Sequence, residues 1–376
     1  MKSVLVLGNN FTGAYGSLSC FVKEISMALK EMNHNILIAN SVSEAVEAYD
    51  KNDIEFSIGI GKYLYFCKEK PLYDVYHKLH YQWIIDNPLK MEIDNASIYI
   101  KYILIDRLFL CCMGKLKNRV IYLPIGIPNT DVKKNIEKKY GIVFSGQIKD
   151  SNTIFEEINA SVCKHEIMKV LEPLTSNLDL LYIPVLEKHI KKLSQSNKKT
   201  VFAYTNSFLR AYKREKVLNA IKDIPVIIIG ENSSRSLLNS RNITMLGKVP
   251  YYTAFEIMGQ YQFCLNIEPN FSCGFHDRIL RSADQGNVVV TNYNKINSEI
   301  LGNDAIYYSY SALEKITDQI FNIQPKELTE MGNRLSEKVS DYFSWDKILD
   351  FLLRDYGGAV DNGENRLFRI LGNKAL

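Results

Sequence analysis

Short apolar runs alternate with stretches of helical periodicity from the first residues to beyond residue 300, and this alternation constrains the fold more than any other feature. In the first half the strand-like runs are Ser3–Leu7, Asn35–Ala39, Ile54–Ile60 and residues 82–85, 100–105 and 120–123. Between the first two, residues 17–32 place Phe21, Ile25, Met27, Ala28 and Leu29 on one helical stripe. Strand, helix, strand within about 40 residues is the signature of a parallel sheet, because parallel neighbours need a crossover. The second half repeats the pattern, with runs at 142–145, 226–230, 243–246, 263–267, 288–291 and 305–308 and helical segments at 252–261 and 277–285. The expectation is an α/β protein of two doubly wound, Rossmann-like domains facing across a cleft.

A chain of 376 residues exceeds what one core usually serves, and 46% apolar against 23% charged residues excludes a disordered chain. The expected domains are 1–130 and 140–340, joined by the polar stretch 128–139. Residues 151–198 are mainly helical and read as an insertion in the second domain. Residues 341–376 read as a last amphipathic helix, with Ser344 as its cap, followed by a tail. A net charge of +4 is too mild to signal nucleic-acid binding. Seven cysteines without CxxC spacing point to reduced thiols rather than disulfides or a zinc site, with Cys111 and Cys112 packed. The opening MKSVLVLGNN reads as a first strand, not a signal. The longest apolar candidate for a membrane span, residues 98–113, carries Lys101, Asp106 and Arg107. The expected location is cytoplasmic, with any membrane contact peripheral and on the inner face.

Chemistry concentrates in four places. Residues 265–280 leave a buried strand, break at Pro269, pass through a small-residue loop and enter a helix near Phe275. Gly274 lets the backbone approach a ligand there, and a helix start offers donors to phosphate, to which His276 and Arg278 add charge. The alternative is a plain strand-to-helix turn. The cluster 210–216 offers Arg210 and Arg214 to a diphosphate, or is a solvated helix face. Residues 7–17 carry Gly8, Gly13 and Gly16, a spacing that does not match GxGxxG and disfavours a dinucleotide site. Asp86 ends a strand run just before Pro88, where it serves either as a general base or as a turn residue. His77 and His80 are spaced to pair on a helix, but no third ligand with metal spacing follows, so no metal is expected. Glu231, after the 226–230 run, is a candidate for a ribose. The 23 Tyr and 17 Phe stand out against 2 Trp. The rings placed to stack on a sugar or base are Phe11, Tyr15, Tyr76, Tyr81, Phe271 and Phe275.

Gly274-Phe275-His276-Asp277-Arg278, followed by Ala283-Asp284-Gln285-Gly286 and the strand Asn287–Thr291, resembles the donor-site signature of GT-B glycosyltransferases. The nearest resemblance is to the bacterial family related to the spore-maturation protein CgeB. Leu123-Pro124-Ile125-Gly126, Ile142-Val143-Phe144-Ser145-Gly146, Val226–Gly230, Leu246-Gly247-Lys248-Val249-Pro250 and Phe343-Ser344-Trp345 resemble further pieces in the family's order, the last implying that the C-terminal helix of residues 341–376 crosses back to the first domain. The resemblance is strongest over residues 120–350.

The resemblance implies transfer of a sugar from a nucleotide-sugar donor to a glycan, lipid-linked or protein hydroxyl, in surface glycan assembly or protein glycosylation, without metal or cofactor. It implies catalytic roles for Asp86 and His276. It places the donor on Gly146, Arg210, Arg214, Glu231, Asn270, Gly274, Phe275, Asp277 and Arg278, and assigns Gly13, Tyr15 and His80 to an acceptor-side loop. The chain departs from the family where two glutamates usually stand, since those positions hold Cys273 and Arg281. Arg281 would face a phosphate-rich ligand or lie on the outside of its helix. A nucleotide-sugar epimerase and a non-catalytic nucleotide-sugar or partner-binding protein share the expected layout.

Overall fold

The computed structural model describes all residues except 1, 9–15, 62, 63, 68, 92, 94, 95, 129–136, 238, 239, 268–270 and 358–376, and omits the side chains of 114–118. The chain divides into two compact units, Met1–Asp131 with Ser340–Leu376, and Val132–Val339.

The first unit begins β1 (Ser3–Leu7), α1 (Ser17–Glu31), β2 (Asn35–Ala39), α2 (Val42–Lys51) and β3 (Ile54–Ile60). A hairpin of β4 (Phe66–Cys67) and β5 (Lys70–Pro71) leads to α3 (Leu72–Val75), then β6 (Leu79–Ile84), β7 (Ile100–Leu104) and β8 (Val120–Tyr122). Its parallel sheet runs β2-β1-β3-β6-β7-β8. All five residues of β1 are buried, as expected of a strand covered on both faces. On α1, Phe21, Ile25, Ala28 and Leu29 are buried, whereas Met27 is 52% exposed. Met27 leaves the expected stripe because two residues of helix turn it about 200° from Ile25. Strand β6 starts three residues before the apolar run that announces it, because His80 and Gln82 are polar residues buried inside a strand.

The second unit opens with β9 (Lys139–Ser145), followed by α4 (Ser151–Asn159), α5 (Lys164–Ser176), α6 (Tyr182–Ile190) and α7 (Gln195–Ala220). It continues β10 (Val226–Ile229), β11 (Ile243–Gly247), α8 (Tyr251–Gly259), β12 (Tyr261–Asn266), α9 (Asp277–Asp284) and β13 (Val288–Asn292). It closes with α10 (Lys295–Leu301), β14 (Ile306–Tyr308), α11 (Lys315–Phe321) and α12 (Pro325–Phe343). This parallel sheet runs β11-β10-β9-β12-β13-β14. Ile142, Phe144, Val226, Ile228, Phe263 and Leu265 bury one face. Val143, Ile227, Ile229 and Cys264 pack the other against Ala254 and Met258 of α8, the two-residue period of a strand. The helical stretch beginning at 151 does not end at 198. No glycine or proline interrupts residues 195–220, so α7 runs on as one helix of 26 residues back to the sheet.

Beyond α12, the last helix α13 (Trp345–Tyr356) packs on α1 within the first unit. Ser344 occupies its cap position, but its hydroxyl makes no cap hydrogen bond. Trp345 anchors the helix instead. Its indole N–H donates to Glu24 Oε2 at 2.8 Å, and its ring meets Trp83 edge-on at 5.4 Å. A side chain on Gly126 would lie 2.4 Å from that ring, so only glycine admits it.

Candidate active site

In the second unit the strand order reverses between β9 and β12, and the crevice beyond the carboxyl ends of such neighbours is where open α/β sheets bind ligands. The backbone is drawn in closely there. A Cβ on Gly230, whose φ is +141°, would sit 2.5 Å from the Gly146 carbonyl oxygen. Phe144, near the end of β9, is fully buried. Two guanidinium groups lie against its ring, Arg214 of α7 at 5.3 Å from the centroid and Arg278 of α9 at 5.1 Å. Arg214 donates to the Gln147 carbonyl. Arg278 donates to Asn266 Oδ1 at 3.0 Å, and the Asn266 amide donates to Thr291 Oγ1. A third cation, the Lys213 ammonium, lies 4.4 Å from the centre of the Tyr310 ring. Lys213, Arg214 and Arg278 are 5%, 4% and 6% exposed. Burying a cation is costly, and arginine tolerates it best because its flat, weakly hydrated group stacks on aromatic faces. Hydrogen bonds to the Gln147 carbonyl and the Asn266 amide fix the two guanidinium groups at these strand ends.

The start of α9 adds a second feature. His276 Nδ1 lies 2.5 Å from Asp277 Oδ1 and 3.2 Å from the Arg278 backbone N–H. One nitrogen cannot donate to the first and accept from the second, and the short carboxylate contact requires the proton on Nδ1. Burial opposes ionisation of Asp277, yet the charge and hydrogen bond of His276, the Tyr251 hydroxyl at 2.5 Å and Arg281 hold its carboxyl well below the usual range. A carboxylate thus already occupies the first turn of this helix and satisfies part of its preference for negative charge. Asn294 ties down the preceding loop by donating to the Phe271 and Gly274 carbonyls.

The other residues singled out by sequence fall as follows. Arg210 is half-buried on α7 and Gly274 is buried. Phe275 is 1% exposed and belongs to the core, so it offers no face for stacking. Phe271 meets His276 edge-on at 5.4 Å. Glu231 is exposed and paired with Lys248 at 2.5 Å. Arg281 does not lie on the outside of its helix, being buried against the rings of Tyr251 and Phe255. Asn270, Gly13, Tyr15 and Phe11 lie outside the described residues.

In the first unit, Asp86 stands exposed beyond β6 and pairs with Lys90 at 3.0 Å. The turn is capped by its neighbour Asn87, whose side chain accepts from the Leu89 N–H. His80 is not on a loop. It lies inside β6, 1% exposed, because both its ring nitrogens find partners there: Ser57 Oγ at 2.8 Å and Gln82 Oε1 at 2.9 Å. Gln82 then donates to the Gly61 carbonyl, and Tyr49 donates to Ser57. Burial pushes the His80 pKa down to about 4, against the Gln82 hydrogen bond. His77 sits in a turn at φ +53°, so the two histidines share no helix. Tyr76 stacks on Tyr49 at 4.4 Å, and the buried Tyr81 donates to Asp355, so both rings are already engaged. Cys111 is exposed rather than packed. Among the described residues no three His, Cys, Asp or Glu side chains cluster to hold a metal. Among them also, no helix is long and apolar enough to cross a membrane.

Sequence reasoning missed Phe144, Lys213 and Tyr310 as members of the site. It also passed over Asn266, the one amide in the apolar run 263–267 and thus a visible signal.

No protein-family model matches the chain, and no curated protein matches it in sequence. Solved structures do match in shape. A glycosyltransferase from Rickettsia africae ESF-5 aligns with a TM-score of 0.54 at 11% identity, over 96% of this chain and 99% of that one. A sucrose-phosphate synthase from Thermosynechococcus elongatus gives 0.53 at 9%, over 96% and 100%. HepE of Anabaena, solved in complex with UDP-glucose, gives 0.54 at 9%, over 95% and 100%. The fold is therefore that of GT-B glycosyltransferases.

Proposed function

We propose that this chain is a glycosyltransferase moving a sugar from a nucleotide-activated donor to a hydroxyl acceptor. One observation carries the reading. Arg214 and Arg278 are buried against Phe144 at the strand ends where the sheet order reverses, and hydrogen bonds hold both in place. As the glycosidic bond of a nucleotide sugar breaks, negative charge grows on the departing diphosphate, and preorganised cations stabilise that change more than the ground state. The shape shared with HepE, which has been solved with UDP and with UDP-glucose, supports the same ligand class here.

In this reading the three side-chain cations supply the charge that a divalent metal would otherwise bring, and the reaction is metal-independent. His276, held through Nδ1 by Asp277, presents its other nitrogen to the diphosphate. Asp86 is the base assigned to the acceptor hydroxyl, on its position at the end of β6. The acceptor is a glycan, a lipid-linked sugar or a protein, and the finer likeness to the CgeB-related family rests on the quoted sequence pieces. A thermal-shift series with UDP, GDP and their common sugar conjugates tests the core of the proposal. At least one raises the melting temperature saturably, by mass action on the folded state. The conjugate that does so then supports transfer that survives EDTA. Absence of any saturable shift overturns the reading.

A further inference from the structure

Residues 151–194 fold as α4, α5 and α6, and α7 follows from Gln195, so four helices separate β9 from β10 where a single crossover would suffice. The turn between α5 and α6 contains Asp179, whose carboxylate reaches 130 residues ahead to the 3-10 turn Tyr310–Ala312. It accepts from Ser309 Oγ at 2.6 Å, Tyr310 N at 2.8 Å and Ser311 N at 3.1 Å. This is the hydrogen-bonding of a helix cap, delivered from a remote element.

The capped turn carries Tyr310, the ring that lies against the Lys213 ammonium. The same ring packs edge-on to Tyr308 at 5.6 Å, and the Tyr308 hydroxyl donates to the Asn266 carbonyl at 2.9 Å. Asn266 in turn holds Arg278. The insertion grips the other partner as well. Tyr182 of α6 shares a hydrogen bond of 2.8 Å with Thr205 of α7, eight residues before Lys213 on the same helix. One helical insertion therefore fastens both members of a buried cation–ring pair.

We infer that Asp179 is a positioning residue for the anion site: by capping the turn it holds the Tyr310 ring against Lys213, so that the insertion sets the place of the third cation. The inference rests on the reading of that site as a diphosphate site. Its chemistry is the attraction of a cation for a ring face, which is strongest away from water and falls quickly when the ring shifts. Ionised Asp179 suits the task. Partial burial opposes its charge, but the three donors hold its carboxyl below the ordinary value.

The probes are inorganic pyrophosphate and UDP, titrated calorimetrically at a temperature where every variant is folded. Asp179→Ala raises both dissociation constants on the order of tenfold, Tyr310→Leu does the same, and Asp179→Asn, which keeps an acceptor, recovers most of the loss. The double variant Asp179→Ala/Tyr310→Leu is no worse than either alone, because the two changes act through one ring. A structural role alone would lower the melting temperature of Asp179→Ala and leave both constants at the unsubstituted value. That outcome, or losses that add in the double variant, overturns the inference while the site reading stands. If the unsubstituted chain binds neither probe, the site reading fails and the inference falls with it.

Discussion

Two six-stranded parallel sheets of the same chain bury different chemistry at their centres. The first runs β2-β1-β3-β6-β7-β8, with the second strand outermost. The second runs β11-β10-β9-β12-β13-β14, in which its first three strands march outward before the order reverses. Beside the reversal in the first unit lies a neutral relay: Tyr49 donates to Ser57, Ser57 to His80, His80 to Gln82, and Gln82 to the Gly61 carbonyl. Beside the reversal in the second lie Lys213, Arg214 and Arg278. The relay satisfies every member internally, with His80 uncharged and its Nε2 carrying the proton because the Gln82 oxygen only accepts. The cations are met by rings, a carbonyl and an amide. A self-satisfied neutral core stabilises a domain, whereas a group of buried cations suits an anion, which is the role proposed for the second unit.

The largest effect that tests this contrast concerns His80. Folded, the ring stays neutral down to about 4, whereas the unfolded chain protonates it near the ordinary imidazole value of 6.5. Between those limits the unfolded state binds more protons. The stability of the first unit is therefore complete above 6.5 and falls as pH drops towards 4, by about 3 kcal/mol in total. Both tryptophans, Trp83 and Trp345, are buried in that unit, so denaturant unfolding followed by indole fluorescence reads it alone. His80→Asn starts lower and loses most of the pH slope. An unchanged slope would mean that the relay is not held neutral by burial.

Next comes Arg278→Met, which keeps an apolar contact with Phe144 and removes the charge. The dissociation constant for UDP rises roughly 30-fold, the scale of a lost charge-assisted hydrogen bond. The melting temperature without ligand holds or rises, because a buried charge with neutral partners is a weak contributor to stability. A fall in stability with unaltered UDP affinity would reverse the contrast and make the second site structural as well.

Much of the architecture was legible because buried parallel strands are continuous apolar runs, and Val226–Ile229 or Val288–Asn292 cannot be mistaken for surface. What escaped has physical reasons. His80 and Gln82 broke the apolar run of β6 since their hydrogen-bond partners, Ser57 and Gly61, come from a neighbouring strand and the residue just past it. Arg214 was visible as part of a basic run, but its burial was not, because Phe144 lies 70 residues earlier. Arg281 sits on the same short helix as Arg278 and was open to two readings. Only the rings of α8 show that it is buried rather than on the outside of its helix. Asp179 carried no local pattern at all, since its three donors lie beyond residue 308.

The smallest effect sharpens the comparison from the other side. Glu231 follows β10 at the same edge of the second sheet, yet it is exposed and its partner Lys248 is 54% exposed. An ion pair in water contributes little, because solvent screens the attraction and two side chains must be held still. Glu231→Gln should therefore shift the UDP dissociation constant by less than about twofold and stability by less than about 0.5 kcal/mol. A loss comparable to that of Arg278→Met would show that Glu231 gives up Lys248 to hold the ligand directly. The hydroxyls of a ribose are the donors that a carboxylate at this strand end would take, so replacing UDP by 2′-deoxy-UDP separates the cases. If Glu231 holds the ribose, the deoxy ligand and the Glu231→Gln variant lose affinity together and not additively. If the pair with Lys248 persists, binding depends on Lys213, Arg214 and Arg278, and the variant treats both ligands as the unsubstituted chain does.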